Sequence, residues 1–122
     1  MILVIGGAGQ GKLDYVLSKT GYGRDDVALD PETARDKPIL AHLERWLRDH
    51  PEETLDGLLR ANPEVIVLCD EVGCGVVPMD RADRQWREAV GRLCCALAQR
   101  ADRVERVFCG LGMTLKGAGT WN

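Results

Sequence analysis

The chain has 122 residues, 29% of them charged and 45% hydrophobic, which fits one compact globular domain and leaves no room for two independent cores. A formal charge of −3 and a pI near 5.4 give no electrostatic reason to expect a nucleic-acid partner. No apolar run approaches the roughly 20 residues that span a bilayer, and no basic leader with a long hydrophobic segment is visible at the start.

Ile2 to Ile5 form an apolar, β-prone run that reads as a first strand, and because Met1 leads directly into it, a complete N-terminus is expected. A glycine-rich turn from Gly6 to Gly11 follows, and a helix is predicted from Lys12 to about Lys19, with Tyr15 and Val16 toward the sheet and Thr20-Gly21 as its stop. Val27 to Leu29 fit a short strand, and Asp30 to Asp36 a polar loop. Asp36 is then predicted to cap a helix with Pro38 in its first turn, because Ile39, Leu43, Trp46 and Leu47 recur at helical spacing. Pro51 opens another short helix carrying Leu55, Leu58 and Leu59 and ending at Asn62-Pro63.

Val65 to Cys69 is a continuous apolar run, the pattern of a strand covered on both faces. Asp70 to Pro78 is a second glycine-bearing segment directly after it. Asp80 caps the longest helix, to about Arg100, with Trp86, Val90, Leu93 and Leu97 as its apolar stripe. Asp80–Arg84, Asp83–Arg87 and Glu88–Arg92 have the i, i+4 spacing of acid–base pairs on its outer face, where Arg84 and Arg92 could also reach an anion or a neighbouring subunit. Val104 to Cys109 and Met113 to Lys116 read as the last strands, and Gly117 to Asn122 as a loose tail. Strands alternating with helices predict an α/β fold with a mostly parallel sheet and right-handed crossovers.

Five cysteines, Cys69, Cys74, Cys94, Cys95 and Cys109, form no Cys-x-x-Cys pair. They read as small buried hydrophobes in a reducing cytoplasm.

Ligands of parallel sheets bind beyond the carboxyl ends of the strands, so Gly6–Lys12 and Asp70–Pro78 are expected to face one site. The stretch Gly6-Gly7-Ala8-Gly9-Gln10-Gly11-Lys12-Leu13 satisfies Gly-x-x-x-x-Gly-Lys between a strand and a helix. Backbone N–H groups of such a turn converge on phosphate oxygens and Lys12 adds a point charge, so the expected ligand is a nucleotide, ATP or GTP. A purely structural strand–turn–helix is the blander alternative. Leu13 stands where a Ser or Thr hydroxyl would ordinarily reach Mg²⁺. Asp70 and Glu71 are the candidates to compensate, one holding Mg²⁺ through water (Asp70) while the other polarises a substrate hydroxyl. His42 is a candidate site residue on a helix; His50 is explained by its place at a helix end.

Gly-Gly-Ala-x-x-Gly-Lys after the opening strand, Asp70-Glu71-Val72-Gly73-x-Gly75-Val76-Val77-Pro78, and Arg84, Arg87 and Gly91-Arg92 together resemble the adenosylcobinamide kinase / adenosylcobinamide-phosphate guanylyltransferase family. The likeness covers Met1–Asp14 and Val65–Lys116; residues from about 20 to 62 match poorly, and the chain is shorter than usual members. The resemblance implies a P-loop, RecA-like three-layer fold and a homo-oligomer, a trimer in the family. It also implies phosphorylation of the aminopropanol hydroxyl of adenosylcobinamide by ATP or GTP with Mg²⁺, then GMP transfer through a guanylylated histidine. Gly6, Gly7, Ala8, Gly11 and Lys12 then hold the triphosphate, and Glu71 falls in the motif after the strand. A non-catalytic nucleotide-binding homologue is the alternative that Leu13 favours, and an oligomerisation module without nucleotide affinity is a third.

Overall fold

The computed structural model describes residues 1–72, 80–118 and 121. Among them one six-stranded sheet runs in the order β2-β3-β4-β1-β5-β6, built from β1 (Ile2–Gly6), β2 (Val27–Ala28), β3 (Ile39–Leu40), β4 (Ile66–Asp70), β5 (Arg103–Phe108) and β6 (Leu111–Lys116). All neighbours are parallel except β5 and β6, which form an antiparallel hairpin. Its tight turn places both Cys109 (φ 52°) and Gly110 (φ 76°) in the left-handed region that two-residue hairpins require.

Successive strand residues alternate between two cores, giving three layers. Leu3, Leu40, Val67, Cys69 and Val104 pack under α2 (Leu43–Asp49), α3 (Asp56–Ala61) and α4 (Arg81–Arg100). Val4, Ile39, Ile66, Leu68 and Val107 pack with Val16 of α1 (Lys12–Thr20) on the other face. This is the P-loop α/β fold expected from the motifs.

Most elements fall where hydrophobic periodicity puts them. α1 stops at Gly21, whose φ of 81° lets its N–H close on the Leu17 carbonyl. α4 starts at Asp80, whose carboxylate accepts the Asp83 N–H at 2.8 Å, and buries Val90, Leu93 and Leu97. Asp83 also pairs with Arg48 of α2 at 2.7 Å, so its partner is across the helices and not Arg87 one turn on.

The helix expected from Asp36 is corrected. Asp36 ends a 3₁₀ turn, Thr33–Asp36, and Ile39–Leu40 are a strand, both fully buried between β2 and β4. Pro38 fits a strand's start, where its carbonyl accepts the Ile66 N–H at 2.9 Å. The helical spacing of Leu43, Trp46 and Leu47 belongs to α2 alone. α3 likewise begins at Asp56 instead of Pro51, because the Glu53 carboxylate accepts the N–H groups of Thr54 and Leu55 and the Trp46 indole, holding this stretch as a loop. Of the cysteines, Cys69 is buried and Cys94 half-buried, whereas Cys95 and Cys109 are exposed, against the expectation of uniform burial. Cys94 beside it and its own burial push the Cys69 thiol far up, so it stays protonated. Cys74 lies outside the described residues.

α1 is tied to the sheet by a buried polar cluster. Tyr15 Oη donates to Glu105 Oε1 at 2.5 Å, while Arg103 and the Trp121 indole both donate to Glu105 Oε2. Burial opposes ionisation of Glu105, yet these three hydrogen bonds outweigh it and hold its carboxyl below the usual range. Burial and the Glu105 carboxylate push the Tyr15 hydroxyl up to about 12. Trp121 thus packs against the sheet in a stretch expected to be a loose tail.

No helix of the described residues is long and apolar enough to cross a membrane.

Candidate functional site

Register brings the two motif ends together. Gly6 at the end of β1 lies beside Asp70 at the end of β4, and the Glu71 N–H donates to the Gly6 carbonyl at 2.8 Å. A Cβ on Gly6 would sit 2.5 Å from the Val107 carbonyl oxygen, so only glycine allows β1 and β5 to approach here. The chain then turns through Gly9 (φ 72°) and Gly11 (φ 88°) into α1, whose first-turn N–H groups have no intrahelical acceptor. Gln10 braces this turn, its Oε1 accepting the Cys109 N–H and its carbonyl the Gly110 N–H, both at 2.8 Å.

Lys12 is 8% exposed. Its ammonium donates to the Gly6 and Gly7 carbonyls at 3.1 and 2.8 Å and pairs with Asp70 Oδ1 at 2.6 Å. It is therefore folded back over the loop, with a carboxylate as its anion. Beside it opens a cavity of about 260 Å³ lined by Ala8, Gly9, Gly11, Lys12, Leu13, Asp14, Arg24, Ala41, His42, Arg45, Leu68 and Asp70.

The stretch from β3 to α2 forms the opposite wall. His42 takes a left-handed backbone (φ 57°), turning the chain from strand to helix, and its Nδ1 lies 3.4 Å from Glu44 Oε2. Glu44 is only 4% exposed; its Oε1 accepts the Asp70 N–H at 2.8 Å, fixing α2 to the end of β4. Arg45 stands at the rim, its Nε 3.8 Å from Glu44 Oε2, and Arg24 pairs with Asp14 at 2.8 Å.

The structure thus brings Lys12, Asp70 and His42 of the sequence candidates to one cavity, with Ala8, Gly9, Gly11 and Leu13. It separates the acidic pair. Glu71 points to Arg106 of β5, Oε2 to Nη2 at 3.1 Å, and does not line the cavity. Gly73 to Pro78, expected to form a facing wall, lie outside the described residues. Glu44, Arg24 and Arg45 were not anticipated. A lone glutamate in a charged helix reads as a solvated face, and only the spacing His42-x-Glu44 after a short apolar pair hints otherwise. Leu13 packs partly against the α1-side core and offers the cavity no oxygen.

The family model for cobinamide kinase / cobinamide phosphate guanyltransferase matches residues 12–115. The chain belongs to this family. The match begins at Lys12, so the glycines before it lie outside the matched stretch. The bifunctional adenosylcobalamin biosynthesis protein CobU of Salmonella typhimurium is 33% identical over 89 residues, covering 73% of this chain and 49% of that protein. CobP of Pseudomonas aeruginosa, another bifunctional adenosylcobalamin biosynthesis protein, is 36% identical over 54% of this chain and 38% of its own length. CobU of Escherichia coli is 37% identical over 47% of this chain and 32% of its own. The chain spans about half the length, or less, of these relatives.

Proposed function

We propose that this chain is a single nucleotide-binding domain that holds the triphosphate of ATP or GTP on Gly6–Leu13 and transfers its terminal phosphoryl group to the hydroxyl of a cobinamide-type alcohol. The observation that carries this reading is the Gly-x-x-x-x-Gly-Lys turn between β1 and α1, with Lys12 and Asp70 in contact at the edge of one cavity, in a chain of this family. Loop N–H groups cradle the β- and γ-phosphates and Lys12 leaves Asp70 to neutralise them. Asp70, relieved of its cation, then accepts a hydrogen bond from the attacking hydroxyl and orients it. Arg24 and Arg45 at the rim add positive charge where the departing nucleotide gathers negative charge.

The donors at the loop do not fit the usual P-loop magnesium site. Leu13 supplies a methyl where the ion needs an oxygen, and Asp70 Oδ1 is held by Lys12. This favours a second reading, a homologue that binds nucleotide without transferring phosphate. His42 lines the same cavity as the loop, which supports it as the candidate for the family's guanylylated histidine, although the guanylyl-transfer step is the weaker part of this reading. A cytoplasmic homo-oligomer, a trimer by analogy with the family, is the assembly that goes with this function.

Incubation with γ-labelled ATP or GTP and adenosylcobinamide tests the kinase reading. Labelled cobinamide phosphate is the expected product. Nucleotide binding without transfer selects the second reading, and absence of nucleotide binding removes both.

A further inference from the structure

Glu44 is a buried carboxylate with little to balance it. Its side chain is 5% exposed, the cations paired with it are the half-exposed His42 ring and Arg45, whose side chain is 72% exposed and 3.8 Å away, and a second carboxylate, Asp70, stands close by with its own charge taken up by Lys12. Removing a carboxylate from water is costly unless a well-placed cation or a set of hydrogen bonds replaces the lost hydration. One Glu44 oxygen is satisfied by the Asp70 N–H. The other, Oε2, lies 3.4 Å from His42 Nδ1.

His42, Glu44 and Asp70 each offer one ligand atom, and these three atoms lie within 4.8 Å of one another. His42 Nδ1 and Glu44 Oε2 are 3.4 Å apart. Two ligands on a tetrahedral ion with bonds of about 2.0–2.1 Å are separated by about 3.4 Å, so this pair already has the edge of such a site. The residues come from two supports that do not shift independently: His42 and Glu44 flank the start of α2, and Asp70 ends β4, joined to Glu44 through its backbone. His42 and Asp70 also line the cavity.

We propose that His42, Glu44 and Asp70 form a binding site for a divalent transition-metal ion of the zinc class, beside the phosphate loop. One imidazole nitrogen with two carboxylate oxygens selects a borderline ion over Mg²⁺, which takes oxygen ligands and keeps its waters. The site supplies, from α2 and β4, the cation that Leu13 does not hold at the loop. Lys12 competes for it, because its ammonium occupies Asp70 Oδ1. Turning Lys12 toward phosphate, or removing it, frees Asp70 for the ion. The site rests on geometry that stands whether or not the chain transfers phosphate.

The test is titration of the full chain with Zn²⁺, and with Co²⁺ as its spectroscopic probe, in the absence of nucleotide. One ion per chain is expected, with visible Co²⁺ bands of a tetrahedral nitrogen–oxygen site, no thiolate charge-transfer band, and no displacement by excess Mg²⁺. His42→Asn, which keeps a residue tolerant of the left-handed backbone, and Glu44→Gln are each expected to weaken binding at least about tenfold. Lys12→Ala is expected to bind the ion as tightly as the parent or more so while losing nucleotide, which separates this proposal from the nucleotide reading. Binding that persists unchanged in both His42→Asn and Glu44→Gln, a thiolate signature from the exposed cysteines, or no binding by a folded chain overturns it. A covalent GMP adduct on His42 with no effect of His42→Asn on Co²⁺ spectra assigns the ring to group transfer instead and also overturns it.

Discussion

Leu13 divides phosphate binding from metal-assisted chemistry because its side chain, partly packed on the α1-side core, ends in methyl groups at the cavity. Leu13→Thr restores a hydroxyl at the cost of some buried apolar contact, about 1 kcal/mol or a little more. The expected outcome is that nucleotide affinity becomes dependent on Mg²⁺ and that phosphoryl transfer rises about tenfold or more, read by calorimetry and labelled-phosphate assay. Tyr15, further along α1, carries a pH signature. Its hydroxyl titrates at about 12 in the folded chain against 10.0 when unperturbed, because burial and Glu105 favour the neutral form. That contribution is complete below about pH 10 and is lost as pH climbs toward 12. Glu105 works in the opposite sense: its lowered value contributes stability above its ordinary 4.5 that is lost as the solution is acidified through the folded value. Tyr15→Phe is therefore expected to lower stability by about 1–3 kcal/mol near neutrality and to flatten the loss between about pH 10 and about pH 12, measured by urea midpoints. An unchanged alkaline slope would show that Tyr15 is not the group responsible.

Elements were legible where one local rule decided them. Ile2–Ile5 and Val65–Cys69 are too short and too apolar for anything but buried strands, and α4 has a capping aspartate, a stripe and a clean end. The rule failed where two periods overlapped. Ile39 precedes Leu43 by four, so a two-residue strand passed for the first turn of a helix; tertiary pairing with β2 and β4 outweighs that spacing. Glu53 likewise converts the stretch after Pro51 into a loop through three hydrogen bonds that no periodicity encodes. The α4 cap offers a test at this scale. Asp80→Ala removes the acceptor of the Asp83 N–H and leaves Asp83 bound only through Arg48, so a loss of about 1 kcal/mol in unfolding free energy is expected from chemical denaturation.

At the scale of the whole molecule, the strand order does the assembling. Placing β1 next to β4 sets Gly6 beside Asp70, so the phosphate loop and the acid after the second apolar run are neighbours, as the order of strands and turns in the sequence implies. The same order carries Glu71 toward β5 and Arg106, a division between neighbouring acids that depends on which face each residue takes at the strand's end. Glu44 was hidden for a related reason: its burial comes from the Asp70 backbone 26 residues away. The polar cluster of Tyr15, Arg103, Glu105 and Trp121 was equally silent, since its members are separated by up to 106 positions in a chain of 122. The central claim is that the opening loop holds a nucleotide's phosphates through Lys12. Its most direct test is calorimetric titration of the full chain with ATP and GTP, with Mg²⁺ and with chelator, beside Lys12→Ala checked for folding by circular dichroism. The expected result is binding that changes little with Mg²⁺ and falls at least about tenfold in Lys12→Ala. Binding of neither nucleotide by the parent chain, or equal binding by folded Lys12→Ala, would contradict it.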